Sequence, residues 1–214
     1  MKKLLIFAVA LGSMIQLKAQ NTGNALYLMP ATQQFSFSKI NQALTQAGLA
    51  ELPITFGIGV GGFGFTRRWR IGGEGTYFSG NASRRQNTTS LSGGQGYFYG
   101  AYVWQRSKWN VVPAIGIGYG GLTLTATRSI PANSIGELFG SAANSSTISI
   151  GDGFVHTSLG IERNLSDAMF MGIKASYNLG LSGERTWTAD GLAHSVRDPF
   201  RSFQLSLNIG FVLR

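Results

Sequence analysis

The C-terminal segment RSFQLSLNIGFVLR (201–214) shows the clearest hydrophobic pattern in the chain. Every second residue from Phe203 to Leu213 is apolar, while most residues between them are polar or small. Because successive side chains of a β-strand point to opposite faces, this segment is predicted to be a strand with one apolar face. That face can point into a protein core or out into lipid, and the other strands distinguish the two.

Similar alternation recurs in further segments separated by turn residues. They are ITFGIGVGGFGF (54–65), RIGGEGTYFSG (70–80), GYFYGAYVWQ (96–105), WNVVPAIGIGYGGLTL (109–124), GFVHTSLGIER (153–163) and AMFMGIKASYNLGLS (168–182). In the first segment the alternation slips at Gly61 and Gly62, which predicts a β-bulge. Segment 96–105 is aromatic on both faces, so its pattern leaves its orientation open.

The connections between these segments alternate in length. Segments 66–69, 106–108 and 164–167 are short turns, whereas 81–94, 128–149 and 183–199 read as long loops. This order predicts an up-and-down meander of antiparallel strands, with tight turns at one end and long loops at the other.

The region before residue 54 completes the strand count. Segments 24–30 and 34–38 are predicted to form one broken strand, followed by a short helix over 38–48. Ser38 is the candidate helix cap and Gly48 the candidate helix end. The predicted fold is therefore an all-β, eight-stranded antiparallel up-and-down transmembrane β-barrel, and the even number of strands places both termini on the short-turn side.

The N-terminal sequence MKKLLIFAVALGSMIQLKAQ has the layout of a secretory signal peptide, with a basic start and a short apolar stretch. We assign residues 1–19 to the signal peptide and residues 20–214 to the barrel domain. No stretch of about 18 apolar residues follows, which argues against a transmembrane helix. The sequence contains no Cys, so neither a disulfide nor an N-terminal lipid anchor on Cys is expected.

The polar faces of the strands favour a membrane barrel over a soluble, lipocalin-like barrel. In a soluble barrel the polar face meets water and should be rich in charge. Here it carries mainly Gly, Ala, Ser, Asn and Gln, which suits a packed polar lumen, and only 13% of all residues are charged. The residues predicted to face lipid are Ile115, Ile117, Met171, Ile173, Leu205, Leu207 and Ile209.

Aromatic and charged residues fit the two interfaces of such a barrel. The candidate interface aromatics are Trp69, Trp104, Trp109, Tyr119 and Tyr177. Basic residues are expected outside the apolar bands, in two groups: Arg67, Arg68, Arg70, Arg106 and Lys108 at the short turns, and Arg84, Arg85 and Arg185 in the long loops. Their nearest partners are expected to be lipid phosphates and not nucleic acid.

With its signal peptide, glycine-rich strands and amphipathic last strand, the chain resembles small Gram-negative outer-membrane β-barrel proteins of the porin-like class. The resemblance implies an outer-membrane location with both termini periplasmic, a monomer, and long loops outside the cell for structural, adhesion or ligand-contact roles. It also implies contact with outer-membrane lipids, lipopolysaccharide and the barrel-assembly machinery. Such proteins usually end in an aromatic residue, whereas this chain ends in Leu213 and Arg214.

The titratable residues on the non-lipid faces are Glu74, His156, Glu162 and Lys174. An eight-stranded barrel is just wide enough for its side chains to fill it, so these residues predict a structural lumen network. Lys174 is expected to pair with Glu74 or Glu162, and glycines at 116, 118, 120, 172 and 180 are expected to loosen the packing. A narrow passive channel is the alternative.

A second alternative is a lipid A-modifying hydrolase using His156 and Ser158. The His-x-Ser pair resembles that of outer-membrane lipid A deacylases, and Glu162 could orient the His. However, the pair shares its face with Gly160 and Glu162 and is predicted to point into the lumen. We therefore expect no enzymatic activity. With two His and no Cys, the sequence also predicts no metal site and no cofactor.

Overall fold

The computed structural model describes residues 22–66, 68–85, 87–127, 145–182, 185–189, 192–196 and 199–213. The predicted signal peptide lies outside these residues. The elements are β1 (Thr22–Phe35), α1 (Ser38–Gln46), β2 (Thr55–Thr66), β3 (Trp69–Arg84), β4 (Asn87–Tyr102), β5 (Trp104–Arg106), β6 (Trp109–Thr127), β7 (Ser145–Asn164), β8 (Met169–Gly180), β9 (Arg185–Ala189), β10 (Leu192–Val196) and β11 (Arg201–Leu213).

Eight of these strands form a closed antiparallel barrel. Around the barrel the order is β1, β2, β3, β4, β6, β7, β8 and β11, and β11 pairs again with β1. The short β5 continues the line of β4 along β6. The predicted eight-stranded up-and-down barrel is therefore confirmed. None of the described helices is long and apolar enough to cross a bilayer.

The predicted alternation sorts side chains to the two faces of the barrel wall. On β11, Leu205 is 46% exposed on the outside, while its neighbours Gln204 and Ser206 are buried inside. The segment that could not be oriented is also sorted: Tyr97 and Tyr99 are buried inside, and Phe98 points outward. The outer face is thus apolar and the inner face mixed, the reverse of a soluble barrel.

The prediction of a β-bulge at Gly61 and Gly62 is wrong. The pairing of β2 with both β1 and β3 runs through these glycines without an extra residue. The apolar pattern slips because Phe63 points inward, where its ring lies 6.0 Å from that of Tyr27 and 5.9 Å from that of Phe170. An aromatic residue inside the lumen, and not a change of strand geometry, explains the slip.

The region around α1 follows the prediction with two differences. Strand β1 is continuous from Thr22 to Phe35 and is not broken. The helix begins at Ser38, but the capping position before it is Phe37, so Ser38 is not the cap. Gly48 follows the helix with a φ of +73°, a conformation that glycine adopts without steric cost, and it ends the helix as predicted.

All three predicted long loops contain strand structure among their described residues. Segment 81–94 belongs to a hairpin in which β3 and β4 stay paired from Ser79–Ser92 up to Arg84–Asn87, so the loop prediction there is wrong. Segment 183–199 contains the β9–β10 hairpin. Residues 145–149 belong to β7, and residues 128–144 lie outside the described residues. The Ser, Thr and Asn residues of segment 81–94 are typical of loops, but here they lie in paired strands and contact each other across them.

Strand length divides the barrel into two halves. We call β3, β4, β6 and β7, with 16, 16, 19 and 20 residues, the tall wall. We call β8, β11, β1 and β2, with 12, 13, 14 and 12 residues, the short wall. The upper inner face of the tall wall is apolar and shares one hydrophobic cluster with α1; its members include Ile40, Leu44, Leu49, Phe78, Leu91, Leu122, Leu124 and Ile150.

Candidate functional site

The centre of the barrel interior is organised around Glu74 on β3. Its carboxylate accepts hydrogen bonds from the hydroxyls of Tyr27 on β1 and Tyr97 on β4. The ammonium group of Lys174 on β8 contacts both carboxylate oxygens and also donates to the Tyr97 hydroxyl at 3.1 Å. The Tyr27 hydroxyl lies 3.2 Å from that of Tyr99. Strands from opposite sides of the barrel are therefore joined through one carboxylate.

The Glu74–Lys174 pair is buried, with the two residues 4% and 7% exposed. Burying two charges is costly unless they are paired and their remaining hydrogen-bonding capacity is used. Here the hydroxyls of Tyr27 and Tyr97 donate hydrogen bonds to the Glu74 carboxylate, in addition to the contact of the Lys174 ammonium group. Of the two partners considered for Lys174, the structure selects Glu74.

Glu162 on β7 pairs instead with Arg70 on β3, with 2.7 Å between Arg70 Nη1 and Glu162 Oε2. The guanidinium of Arg70 also lies 4.3 Å from the centre of the Phe63 ring. Arg70 was expected outside the barrel with the other short-turn cations, and that expectation is wrong. It shares the inward face of Gly72 and Glu74, and it compensates the charge of Glu162 inside the lumen.

His156 on β7 is held between neighbouring side chains. Its ring stacks on that of Tyr97, with 3.8 Å between centroids and an interplanar angle of 19°. Its Nδ1 lies 2.8 Å from Asn178 Oδ1. Ser158 lies on the same inner face of β7, but Glu162, the carboxylate that was to orient His156, is bonded to Arg70. The contacts of His156 are those of a packed interior residue.

Above this cluster, on the side of the β3–β4 hairpin, lies a layer of amides and hydroxyls. Gln95 Nε2 donates to Gln204 Oε1 at 2.8 Å, and Gln33 Nε2 donates to Gln95 Oε1 at 3.0 Å. Asn178 Nδ2 donates to Gln95 Oε1 at 3.2 Å and to Ser202 Oγ at 3.1 Å. This layer spans the barrel from β1 to β4, β8 and β11.

A cluster of phenylalanine rings closes the interior above the amide layer. Phe154 and Phe200 stack with 5.6 Å between centroids, and Phe37 meets Phe200 edge-on at 6.1 Å. We call the cluster the phenylalanine plug; its members are Phe35, Phe37, Phe78, Phe154 and Phe200, all at most 3% exposed. A small cavity of about 20 Å³ remains below it, between the Arg70–Glu162 and Glu74–Lys174 pairs. That volume holds about one water molecule.

The interior glycines tighten the packing, contrary to the expectation that they loosen it. A Cβ on Gly118 would lie 2.7 Å from Phe154 Cζ and 2.5 Å from Tyr97 Cβ. A Cβ on Gly172 would lie 2.7 Å from Glu162 Cγ. The missing side chains therefore make room for the large inward residues of neighbouring strands.

The predicted lipid-facing residues lie on the outside of the barrel. Ile115, Ile117, Met171, Ile173, Leu205 and Leu207 are exposed there, and Ile209 is half-buried. The predicted interface aromatics Trp69, Trp104, Trp109, Tyr119 and Tyr177 are exposed too. Near the short turns, Tyr102 links Trp69 and Trp104 with centroid distances of 5.2 and 5.9 Å, and Arg163 lies over the ring of Trp109 at 5.5 Å.

Sequence reasoning missed several members of the interior network. Tyr97 and Tyr99 were missed because their segment is aromatic on both faces. Arg70 was detectable, since it precedes Glu74 by four residues on the same face of one strand. Tyr27 lies in β1, whose pairing only the closed barrel defines. Among the described residues no three His, Asp or Glu side chains meet in a potential metal site.

No known protein family matches this sequence, and no curated protein matches it either. Solved structures do match the fold. Neisserial surface protein A superposes with a TM-score of 0.50 and 12% identity, covering 91% of this chain and 99% of that one. The outer membrane protein OprG from Pseudomonas aeruginosa gives 0.51 and 8%, covering 93% and 100%. A major outer membrane protein from Thermus thermophilus gives 0.51 and 10%, covering 88% and 99%. The chain therefore has the fold of outer-membrane β-barrel proteins.

Proposed function

We propose that this protein is an outer-membrane β-barrel with a closed interior, and that it acts through structural or ligand contacts of its projecting tall wall. The observation that carries the proposal is the filled lumen. Two ion pairs, an amide layer and the phenylalanine plug occupy the interior in succession. A barrel whose core is packed to this degree offers its outer surface and its projecting strands for function.

The outer surface supports insertion into a membrane. Twenty-eight large hydrophobic side chains are exposed in the described structure, including Ile58, Ile71 and Ile117, each more than 60% exposed. In water such a surface would aggregate, whereas in a bilayer it matches the hydrocarbon. Closure of the barrel satisfies the backbone hydrogen bonds that an open sheet would leave exposed to lipid.

The same interior argues against the two alternatives. A passive channel needs a continuous path, and the plug residues Phe154 and Phe200 are at most 1% exposed. A hydrolase using His156 and Ser158 needs access to a lipid substrate, but His156 is 1% exposed inside the barrel and stacks on Tyr97. We therefore propose that the protein is neither a channel nor an enzyme.

Recording from the purified full chain in planar bilayers tests the closed interior. The parent protein is expected to give no stable conductance. A Phe154→Ala, Phe200→Ala variant removes two plug rings and is expected to conduct measurably more often. Phe98→Ala is the matched control, because Phe98 is 55% exposed on the outside and its loss leaves the interior intact.

Stable, ion-selective conductance of the parent chain that shifts on changing Lys174 would contradict the proposal and establish the channel alternative. Hydrolysis of lipid A by the same sample, abolished by His156→Gln, would instead establish the enzyme. Mass spectrometry of the recovered lipid measures the second outcome.

A further inference from the structure

Above the membrane-facing part of the tall wall, the outer face carries a regular grid of hydroxyl-bearing residues. Each of the four long strands contributes three successive outward positions. In register they form three rows: Ser79–Ser92–Thr123–Ser149, then Asn81–Ser90–Thr125–Thr147, then Ser83–Thr88–Thr127–Ser145. We call these twelve positions the hydroxyl grid.

All but one of the grid positions are Ser or Thr, and the exception is Asn81. All twelve are exposed or half-buried. Neighbouring hydroxyls approach each other at 3.3 Å between Thr123 and Ser149 and at 3.4 Å between Thr125 and Thr147. From strand spacing and rise, the grid measures about 14 by 13 Å. A surface this uniform presents paired donors and acceptors without net charge.

The rows beneath the grid connect it to the apolar band of the same strands. Directly below lies the row Tyr77–Gly94–Gly121–Gly151, and below that the row Gly75–Gly96–Tyr119–Gly153. Tyr77 and Tyr119 are 61% and 65% exposed. The Tyr119 hydroxyl lies over Gly151, where an added Cβ would clash with it. Going up the wall, the outer face changes from aliphatic to tyrosine on glycine and then to hydroxyl.

We infer that the hydroxyl grid binds the saccharide head of an outer-leaflet glycolipid whose acyl chains lie on the apolar band below. The inference rests on the proposed function and names its partner. Tyrosines mark the membrane interface, so the grid lies where the head groups of the outer leaflet begin. Sugars present dense neutral hydroxyls, which match a neutral surface of donors and acceptors.

Continuity of the surface identifies the source of the saccharide. A free polysaccharide would need only the grid, whereas a glycolipid also uses Ile115, Ile117 and Phe98 on the same strands. Arg84 and Arg85 lie exposed at the tip of the β3–β4 hairpin, next to the top row. These cations suit the phosphate groups that lipopolysaccharide sugars carry.

Removing hydroxyls without changing side-chain shape tests the grid. The test variant is Thr123→Val, Thr125→Val, Thr147→Val, and the conservative variant changes the same three residues to Ser. The control is Thr66→Val, Thr157→Val, because both threonines are exposed but lie outside the grid. Each full chain is reconstituted in phosphatidylethanolamine vesicles containing lipopolysaccharide with its core saccharide or lipid A without it. The glycolipid retained after detergent extraction is measured per protein.

The parent is expected to retain the saccharide-bearing form in preference to lipid A. The valine variant should lose about tenfold of that preference, since three hydrogen bonds of modest net strength are removed. The serine variant and the control should keep it. Because the serine variant keeps the hydroxyls at the same sites, it separates loss of binding from loss of folding.

Equal retention of both glycolipids by the parent, or unchanged preference in the valine variant, would overturn the inference. So would a disulfide-linked dimer formed by Ser90→Cys in the same vesicles, because the grid would then cover a second copy of the chain. These measurements are made in vesicles and do not depend on conductance. If the grid variants leave glycolipid preference unchanged while the parent protein gives no conductance, this inference is refuted and the proposed function is not.

Discussion

The two walls of the barrel are alike within the apolar band and differ above it. On the short wall, β8 ends at Gly180 and β11 begins at Arg201, and their inner faces carry polar residues almost to the top. On the tall wall, β6 extends up to Thr127 and β7 begins at Ser145, with hydroxyl groups on the outer face and Leu or Ile on the inner face. Strand length, and not barrel architecture, distinguishes the two halves.

This difference assigns folding stability to the lower interior of the barrel and partner binding to the upper outer face of the tall wall. The short wall supplies Lys174, Asn178, Gln204 and other polar groups that hold the interior together. The tall wall supplies Glu74 and Tyr97 at the same level, but its upper part packs apolar residues against α1. Changes to the lower interior should therefore affect folding, whereas changes to the upper outer face should affect binding.

The largest effect is expected from Lys174→Met on the short wall. It leaves the Glu74 carboxylate buried without its cation, which typically costs about 3–5 kcal/mol. Leu124→Met also introduces a methionine, but in the interior of the tall wall. It should cost less than about 1.5 kcal/mol, because the side-chain volume is conserved. Urea unfolding in detergent micelles measures both. Recovery of part of the loss by Glu74→Gln in the Lys174→Met background would identify Glu74 as the partner.

A water-filled lumen would give a different result. Solvent would screen the charges, and Lys174→Met would then be nearly neutral. Equal, small effects of both methionine variants would remove the distinction between the interiors of the two walls.

An arginine on the outer face tests where the membrane ends on each wall. Leu207→Arg lies in the apolar band of the short wall and should cost about 2–4 kcal/mol on folding into a bilayer. Thr125→Arg lies in the hydroxyl grid, above the tyrosines, and should cost at most about 1 kcal/mol. Folding yields in vesicles compare them. Similar costs at the two sites would mean that the tall wall does not leave the membrane.

A smaller effect should be common to both walls. Gly118→Ala on the tall wall meets Phe154 and Tyr97, and Gly210→Ala on the short wall meets the Phe170 ring at 2.5 Å. Overpacking of this kind typically costs about 1–3 kcal/mol. Gly100→Ala is the matched control, because nothing lies within 4 Å of its added Cβ. Thermal unfolding should rank Gly100→Ala as nearly neutral; a loss equal to the others would point to glycine flexibility instead.

Local alternation made the faces of most strands predictable. In β6 and β8 each outward residue lies between two inward ones, so Ile117 and Ile173 could be placed without knowing any partner strand. The same logic applied to Arg70, which shares a face with Glu74 but was grouped with the external cations. The alternation therefore predicted that Arg70 points inward, but it could not predict that Arg70 pairs with Glu162.

The ends of the strands and the pairing of interior side chains could not be predicted from the sequence, because both depend on contacts between strands. Asn81, Ser83 and Thr88 have the composition of a loop, and only pairing with neighbouring strands keeps them extended. The Glu74–Lys174 pair depends on the register of strands distant in sequence. The hydroxyl grid was missed for the same reason, since it exists only when four strands are aligned.

The proposal that the protein acts through contacts of its tall wall requires that this wall projects from the outer surface of the cell while the short turns face inward. Because the chain contains no Cys, single cysteines report cleanly on this. Ser83→Cys lies exposed near the tip of the β3–β4 hairpin, and Ser107→Cys lies exposed in the short β5–β6 turn. Intact cells are treated with a membrane-impermeant maleimide. The account predicts labelling of Ser83→Cys alone, with Ser107→Cys labelled only after lysis; labelling of Ser107→Cys but not Ser83→Cys on intact cells would contradict it.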